Sequence, residues 1–102
     1  MNPRLAMLTE LVESGKADAF ARYALALEHR KDGRHEAALE LFTALRRDEP
    51  GYLPMYFIAG RLLMDLGRDA EARDWLEAGQ KVAEGKGDGK TLRELEAALS
   101  EL

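Results

Sequence analysis

Two stretches of the chain repeat one another at a spacing of 34 residues. In each, two helix-length apolar segments are joined by a glycine, and the second segment carries an alanine four positions before a large apolar residue. The matched pairs are Ala26 and Gly60, Gly33 and Gly67, Ala38 and Ala72, and Phe42 and Leu76. One helix pair cannot bury its apolar face alone, so this period predicts a fold built by stacking helix pairs.

Six helical segments follow from the spacing of apolar residues and from the signals at their ends. They cover approximately residues 3–13, 19–31, 35–49, 54–66, 69–84 and 91–102. Asn2, Asp18 and Asp69 are predicted N-caps, and Thr91 with Glu94 forms a predicted capping box. Residues 85–90 contain three glycines and are predicted to form a flexible linker. No segment alternates like a strand, so the predicted fold class is all-α.

Both repeats carry a recognisable motif. The first reads Leu25-Ala26, then Gly33, then Ala38-x3-Phe42, then Pro50, and the second reads Ala59-Gly60, then Gly67, then Ala72-x3-Leu76. In these residues and in its period, the chain resembles the tetratricopeptide repeat family over both units. The departures from the family pattern are Arg22, His29, Leu63 and Glu84.

The resemblance implies a right-handed α-α superhelix of antiparallel helix pairs, with about six helices in a single domain of residues 1–102. Residues 1–16 would form an N-terminal helix in the register of the second helix of a preceding unit. Residues 19–52 and 53–86 would be the two repeats, and residues 91–102 a C-terminal capping helix.

Small residues predict where the paired helices approach most closely. A glycine inside a helix costs roughly 0.5–1 kcal/mol relative to alanine, so close packing is the expected offset. Gly60 is therefore predicted to lie against the second helix of its own repeat. Gly79, in the middle of the fifth helix, is predicted to lie beside the last helix.

The family resemblance also implies a partner-binding surface. In that family the first helix of each unit lines a concave groove that holds a partner segment. By register, this groove would be lined by Phe20, Tyr23, Ala24, Leu27, Arg30 and Lys31 from the first unit and by Phe57, Ile58, Arg61, Met64 and Asp65 from the second. The alternative is that the first helix of the chain covers some of these residues.

The residues expected at this surface also argue against one known partner class. Some family members clamp the carboxylate end of chaperone tails with lysine and asparagine side chains. Tyr23, Leu27 and Phe57 stand at such clamp positions here, which argues against a chaperone-tail receptor. Arg30, Lys31 and Arg61 would instead pair with acidic groups of a partner.

Few residues suggest chemistry. The chain has no cysteine, and His29 and His35 flank a turn where both are expected to pack partly against neighbouring helices. No phosphate loop, nucleophile elbow or metal-ligand spacing is present, so we expect no enzyme activity, no cofactor and no metal. The net charge is −4, and the one basic stretch, residues 29–35, is interrupted by Asp32, which argues against nucleic-acid binding. No apolar run is long enough for a membrane span, and a cytoplasmic location is expected.

Two functional hypotheses follow from these observations. The first is a protein–protein interaction module, an adaptor or scaffold whose groove holds a partner peptide or helix. The second is a structural module in which the same apolar surface, or an end of the helical stack, pairs with a second copy to form a homodimer. The identity of the partner is not encoded in any motif of the sequence.

Overall fold

The computed structural model describes residues 2–102, and within this range it contains six α-helices and no strand. They are α1 (Pro3–Glu13), α2 (Ala19–Lys31), α3 (His35–Asp48), α4 (Pro54–Asp65), α5 (Asp69–Lys86) and α6 (Gly89–Leu99). The chain forms two compact units that meet in sequence between Tyr52 and Leu53. The expected all-α helical repeat fold is therefore confirmed, while the single domain stays a prediction.

The predicted starts of α1, α2 and α4 agree with the local chemistry of the structure. The side chain of Asn2 accepts a hydrogen bond from the Arg4 amide, and the side chain of Asp18 accepts one from the Ala21 amide. Pro3 and Pro54 occupy the first turns of α1 and α4, where a missing N–H costs nothing. Every helix start presents backbone amides without a partner inside the helix. The two capping side chains accept hydrogen bonds from such amides, and the two prolines have no amide N–H to satisfy.

The turn inside each repeat has the same hydrogen bonds, displaced by 34 residues. The Gly33 amide donates to the Arg30 carbonyl at 3.0 Å, and the Arg34 amide donates to the His29 carbonyl at 2.8 Å. After α4, the Gly67 amide donates to the Met64 carbonyl at 3.0 Å, and the amide of residue 68 donates to the carbonyl of residue 63 at 2.9 Å. Gly33 and Gly67 have φ values of +78° and +73°, a left-handed conformation that favours glycine and closes the Schellman turn.

The core of the first unit joins α1 to the helix pair of the first repeat. Leu5, Leu8, Ala24 and Leu25 form a buried cluster, against which partly buried side chains of α1, α2 and α3 pack. Beside this cluster, Glu28 accepts hydrogen bonds from Asn2 at 2.8 Å and from Arg4 at 3.0 Å. The start of α1 is therefore fixed to α2 by both apolar and charged contacts.

The core of the second unit depends on two buried glycines. A β-carbon placed on Gly60 would lie 2.5 Å from Leu76 Cδ2, and one placed on Gly79 would lie 2.6 Å from Tyr56 Cβ. The same β-carbon on Gly79 would lie 3.2 Å from both methyl carbons of Leu95 in α6. Both glycines are thus at close approaches between helices, as the sequence predicts.

The ends of α5 and α6 differ from the prediction. The expected linker over residues 85–90 is reduced to Gly87 and Asp88, because α5 continues to Lys86 and α6 begins at Gly89. The N-cap of α6 is Asp88, whose carboxylate accepts hydrogen bonds from the Thr91 amide at 3.0 Å and from its hydroxyl at 2.8 Å. The predicted Thr91–Glu94 capping box is therefore wrong.

The start of α5 also differs from the prediction. Asp69 was the expected N-cap, but it is already the first helical residue, and Arg68 precedes it without a side-chain cap. As an acidic residue in the first turn, Asp69 still interacts favourably with the positive end of the helix dipole.

Candidate functional site

On α2, the side chains of Phe20, Tyr23, Leu27 and Arg30 follow one another at helical spacing and lie along one face. We call this set the α2 stripe. Phe20 is 64% exposed, and the other three side chains are partly exposed. Phe20 and Met7 are the two large apolar side chains that are most exposed in the described part of the chain. The α2 stripe is therefore an accessible aromatic and aliphatic surface that ends in a guanidinium.

Tyr23 anchors this stripe to the rest of the first unit. Its ring centroid lies 5.5 Å from that of Tyr52 and 6.3 Å from that of the fully buried Phe42, in tilted arrangements favourable to aromatic pairs. Burial raises the pKa of the Tyr23 hydroxyl, Tyr52 raises it further, and Arg30 lowers it in part. Burial and the nearby Asp18 carboxylate also raise the pKa of Tyr52. Both phenols therefore stay protonated at neutral pH and can donate hydrogen bonds.

Arg30 supplies the charge at the end of the α2 stripe. Within residues 2–102 its guanidinium forms no hydrogen bond and no ion pair, and Lys31 beside it is exposed. These cations lie in the last turn of α2, next to the negative end of the helix dipole. Arg30 can therefore bind a carboxylate or carbonyl group without first losing a partner in this region.

One residue expected at this surface belongs to the core. Ala24 is 3% exposed and packs with Leu5 and Leu8 of α1. Its assignment to the partner-facing surface was therefore wrong, because α1 covers this position of α2. The alternative interpretation of the sequence, in which the first helix covers part of this surface, is correct for Ala24.

On α4 the expected residues also lie partly exposed. Phe57, Ile58, Arg61 and Met64 are neither fully buried nor fully exposed, and Asp65 is exposed at the end of the helix. Unlike Arg30, Arg61 has a partner: its Nη1 donates a hydrogen bond to Oε2 of Glu101 at 2.7 Å. Glu101 is exposed, and its pairing with Arg61 was not predicted, because no sequence signal links two residues 40 positions apart.

The two histidines lie in different environments. His35 is exposed at the start of α3, contrary to the expectation that it packs against a neighbour. His29 is partly buried, and its Nδ1 atom is buried without a hydrogen-bond partner in the described region. Beside it, α1 borders an open cleft of about 520 Å³ whose charged lining residues are Glu10, Glu13 and Arg34. Among residues 2–102, no three acidic or histidine side chains converge as metal ligands.

Comparisons with known proteins agree with this architecture. The family model for the tetratricopeptide repeat matches residues 23–88, which is more than half of the chain. A tetratricopeptide repeat domain protein from Salinibacter ruber is 39% identical in its crystal structure, with a TM-score of 0.78 over 83% of this chain and 94% of that chain. Its solution structure gives a TM-score of 0.79 at 39% identity, over 82% and 85% of the two chains. A solution structure of a Bordetella parapertussis protein is 25% identical, with a TM-score of 0.83 over 99% and 88%.

A search of curated proteins finds no match. The repeated helix pairs and their turns define an all-α helical repeat protein. The chain belongs to the tetratricopeptide repeat family. Repeats of this family are in general non-catalytic folds for protein interaction, and the accessible surface of α2 is in keeping with that general role.

Proposed function

We propose that this chain is an adaptor or scaffold that binds a partner peptide or helix through the first helices of its repeats. The observation that carries the proposal is the α2 stripe, where an exposed phenylalanine and partly exposed apolar groups lead to an arginine without a partner in the described region. Aromatic side chains and arginine are enriched in protein interfaces and dominate binding energy where they are buried by a partner. The Tyr23 hydroxyl adds a hydrogen-bond donor in the middle of the stripe.

The apolar side chain at one end of the α2 stripe and the charged side chain at the other both support a role in binding. Burial of Phe20 beneath a partner removes apolar surface from water, which is favourable at roughly 25 cal/mol per Å². Arg30 can form a charge-assisted hydrogen bond with the same partner, at little cost because its guanidinium has no ion pair to break. The segment that fits this stripe therefore has an apolar side chain followed by an acidic group.

The test is a double variant of the α2 stripe, Phe20→Ala with Arg30→Glu. Both side chains are accessible and neither holds the core, so the helical spectrum is expected to remain that of the parent. Removal of anchor residues typically costs about 2 kcal/mol or more, roughly a 30-fold loss of affinity. Partner capture from a native lysate, followed by titration of the captured protein, measures this loss. The corresponding change on α4, Phe57→Ala with Arg61→Glu, is expected to weaken capture as well.

A matched control uses the same types of substitution elsewhere in the first unit. Met7 is 53% exposed, and the side chain of Arg34 is exposed and without an ion pair in the described region. Met7→Ala with Arg34→Glu should therefore bind the partner like the parent. Equal loss in both double variants would show a general charge effect and contradict the proposal.

Self-association through the exposed Phe20 is the rival explanation for this surface. Light scattering at several concentrations distinguishes the two, because a homodimer gives a mass that rises with concentration. A dimer that the Phe20→Ala and Arg30→Glu changes convert to monomer, together with no captured partner, would support the structural module instead.

A further inference from the structure

The Arg61–Glu101 ion pair lies on the face of α4 that the proposed function assigns to a partner. The pair measures 2.7 Å, and its side chains are 34% and 54% exposed. Arg61 is the single cation of α4, whose other charged residue is Asp65, at its last position. α4 thus presents one guanidinium, and an acidic group of the same chain is already paired with it.

Glu101 is placed there by a hydrogen-bonded turn after α6. Its backbone amide donates to the Ala98 carbonyl at 3.1 Å, and the Leu102 amide donates to the Leu99 carbonyl at 3.1 Å. Leu95 and Ala98 of α6 are buried, so the helix that leads into this turn is anchored in the second unit. The carboxylate is therefore held near Arg61 by the fold rather than by the ion pair alone.

We propose that Glu101 occupies the position where the carboxylate of a partner segment binds, so that α4 selects an acidic segment and the turn after α6 competes with it. The inference rests on the proposed function and adds the chemistry of the partner and an internal competitor. A partner without an acidic group leaves Arg61 paired with Glu101, or breaks that pair without replacing it. A partner with an acidic group replaces the Arg61–Glu101 ion pair with an ion pair between Arg61 and its own carboxylate.

The exchange is favourable because the internal pair is weak and geometrically incomplete. Glu101 engages one of the five N–H donors of Arg61 within the described residues, through a single oxygen. A partner carboxylate free to orient can accept two parallel N–H bonds, which is the stronger arrangement for a guanidinium. Because the Arg61–Glu101 ion pair is exposed, competition by Glu101 is expected to weaken partner binding by no more than about fivefold.

A random peptide library displayed on phage provides a probe that does not require the natural partner. We expect peptides selected on the parent protein to be enriched in aspartate and glutamate. An individual acidic peptide should bind the Glu101→Gln variant about two- to fivefold more tightly than the parent in a fluorescence titration. Arg61→Gln should reduce the preference for acidic residues, with Arg30 still present, while the helical spectrum is retained.

The matched control is Glu94→Gln, which makes the same charge change on α6. Glu94 is exposed, and its side chain has no hydrogen bond or ion pair within residues 2–102. The proposal that Glu101 competes with a partner would be overturned if the Glu101→Gln and Glu94→Gln variants bound the peptide with equal affinity. It would also be overturned if the selected peptides showed no acidic enrichment. Neither result would contradict the proposed binding function. Failure of every variant to select any peptide would overturn both proposals.

Discussion

At the scale of single residues, the second unit depends on the absence of side chains at two positions. Gly60 and Gly79 are buried, and a β-carbon on either would overlap a neighbouring helix. The glycine penalty inside a helix made both positions predictable from the sequence. The burial of Ala24 and the pairing of Glu101 were not fixed by the sequence, because each depends on how another helix packs against its own. Helical spacing indicates which residues share a face, but it does not indicate what covers that face.

Replacement of Gly60 by leucine should destabilise the protein. The new side chain would overlap Leu76, and such overpacking typically costs about 1–3 kcal/mol. Thermal unfolding followed by circular dichroism should show a clearly lower midpoint. Gly85→Leu is the control, because Gly85 is also in a helix but has no atom within 4 Å of its β-carbon position, with the helix's own nearby backbone set aside. Similar midpoints for parent and Gly60→Leu would contradict the observed packing.

At the scale of the helices, the sequence predicts starts and stops well where one residue type decides them. Asn2, Asp18 and the turn glycines are such positions, and the structure has the helix ends beside them. The joint between α5 and α6 was predicted less well. Gly85 was read as part of a linker, but α5 passes through it and ends at Gly87, whose φ is +69°. Three glycines lie within residues 85–90, and the sequence does not indicate which of them ends α5.

The cap of α6 should make a part of the stability depend on pH. Hydrogen bonds from the Thr91 amide and hydroxyl lower the pKa of Asp88 below its ordinary value. A carboxyl whose pKa is lowered by folding stabilises the protein above its unfolded pKa, which is about 3.9, and this contribution is lost as the pH falls through the folded value. Asp88→Ala should therefore lower the unfolding midpoint by a few degrees at neutral pH.

The comparison across pH tests this assignment, because other carboxylates also titrate in acid. Arg47 and Arg22 lower the pKa of Asp48, and Arg68 lowers that of Glu71, so the parent loses stability in acid for several reasons. The difference between the parent and Asp88→Ala isolates one group and should shrink between pH 5 and about pH 2. A difference that stays constant over this range would mean that ionised Asp88 is not the stabilising form.

At the scale of the whole molecule, charge and hydropathy restrict the classes of partner. The net charge is −4, with 15 basic and 19 acidic residues. No helix within residues 2–102 combines the length and the apolar character needed to cross a bilayer. Protein segments are the partner class that is general for the family.

Nucleic acid should not bind to this chain. Affinity for nucleic acid comes largely from neutralising several phosphates, and the basic residues near the turn after α2 are few and interrupted by Asp32. Fluorescence anisotropy of labelled duplex DNA and RNA at low salt should stay unchanged up to micromolar protein, with polylysine as the positive control. Binding that weakens steeply as salt increases would contradict this prediction.

The contact between Gly60 and Leu76 also limits how this sequence can diverge. The matched pair in the first repeat is Ala26 with Phe42, and both of these residues are fully buried. In the second repeat a β-carbon at position 60 would lie 2.5 Å from Leu76 Cδ2, so the Leu76 side chain would have to shift to make room for it. The two positions are therefore coupled, and a large side chain at residue 60 is best tolerated together with a smaller one at residue 76. A pair of individually harmful changes can thus be neutral together, and the order in which they arise determines which descendants remain folded.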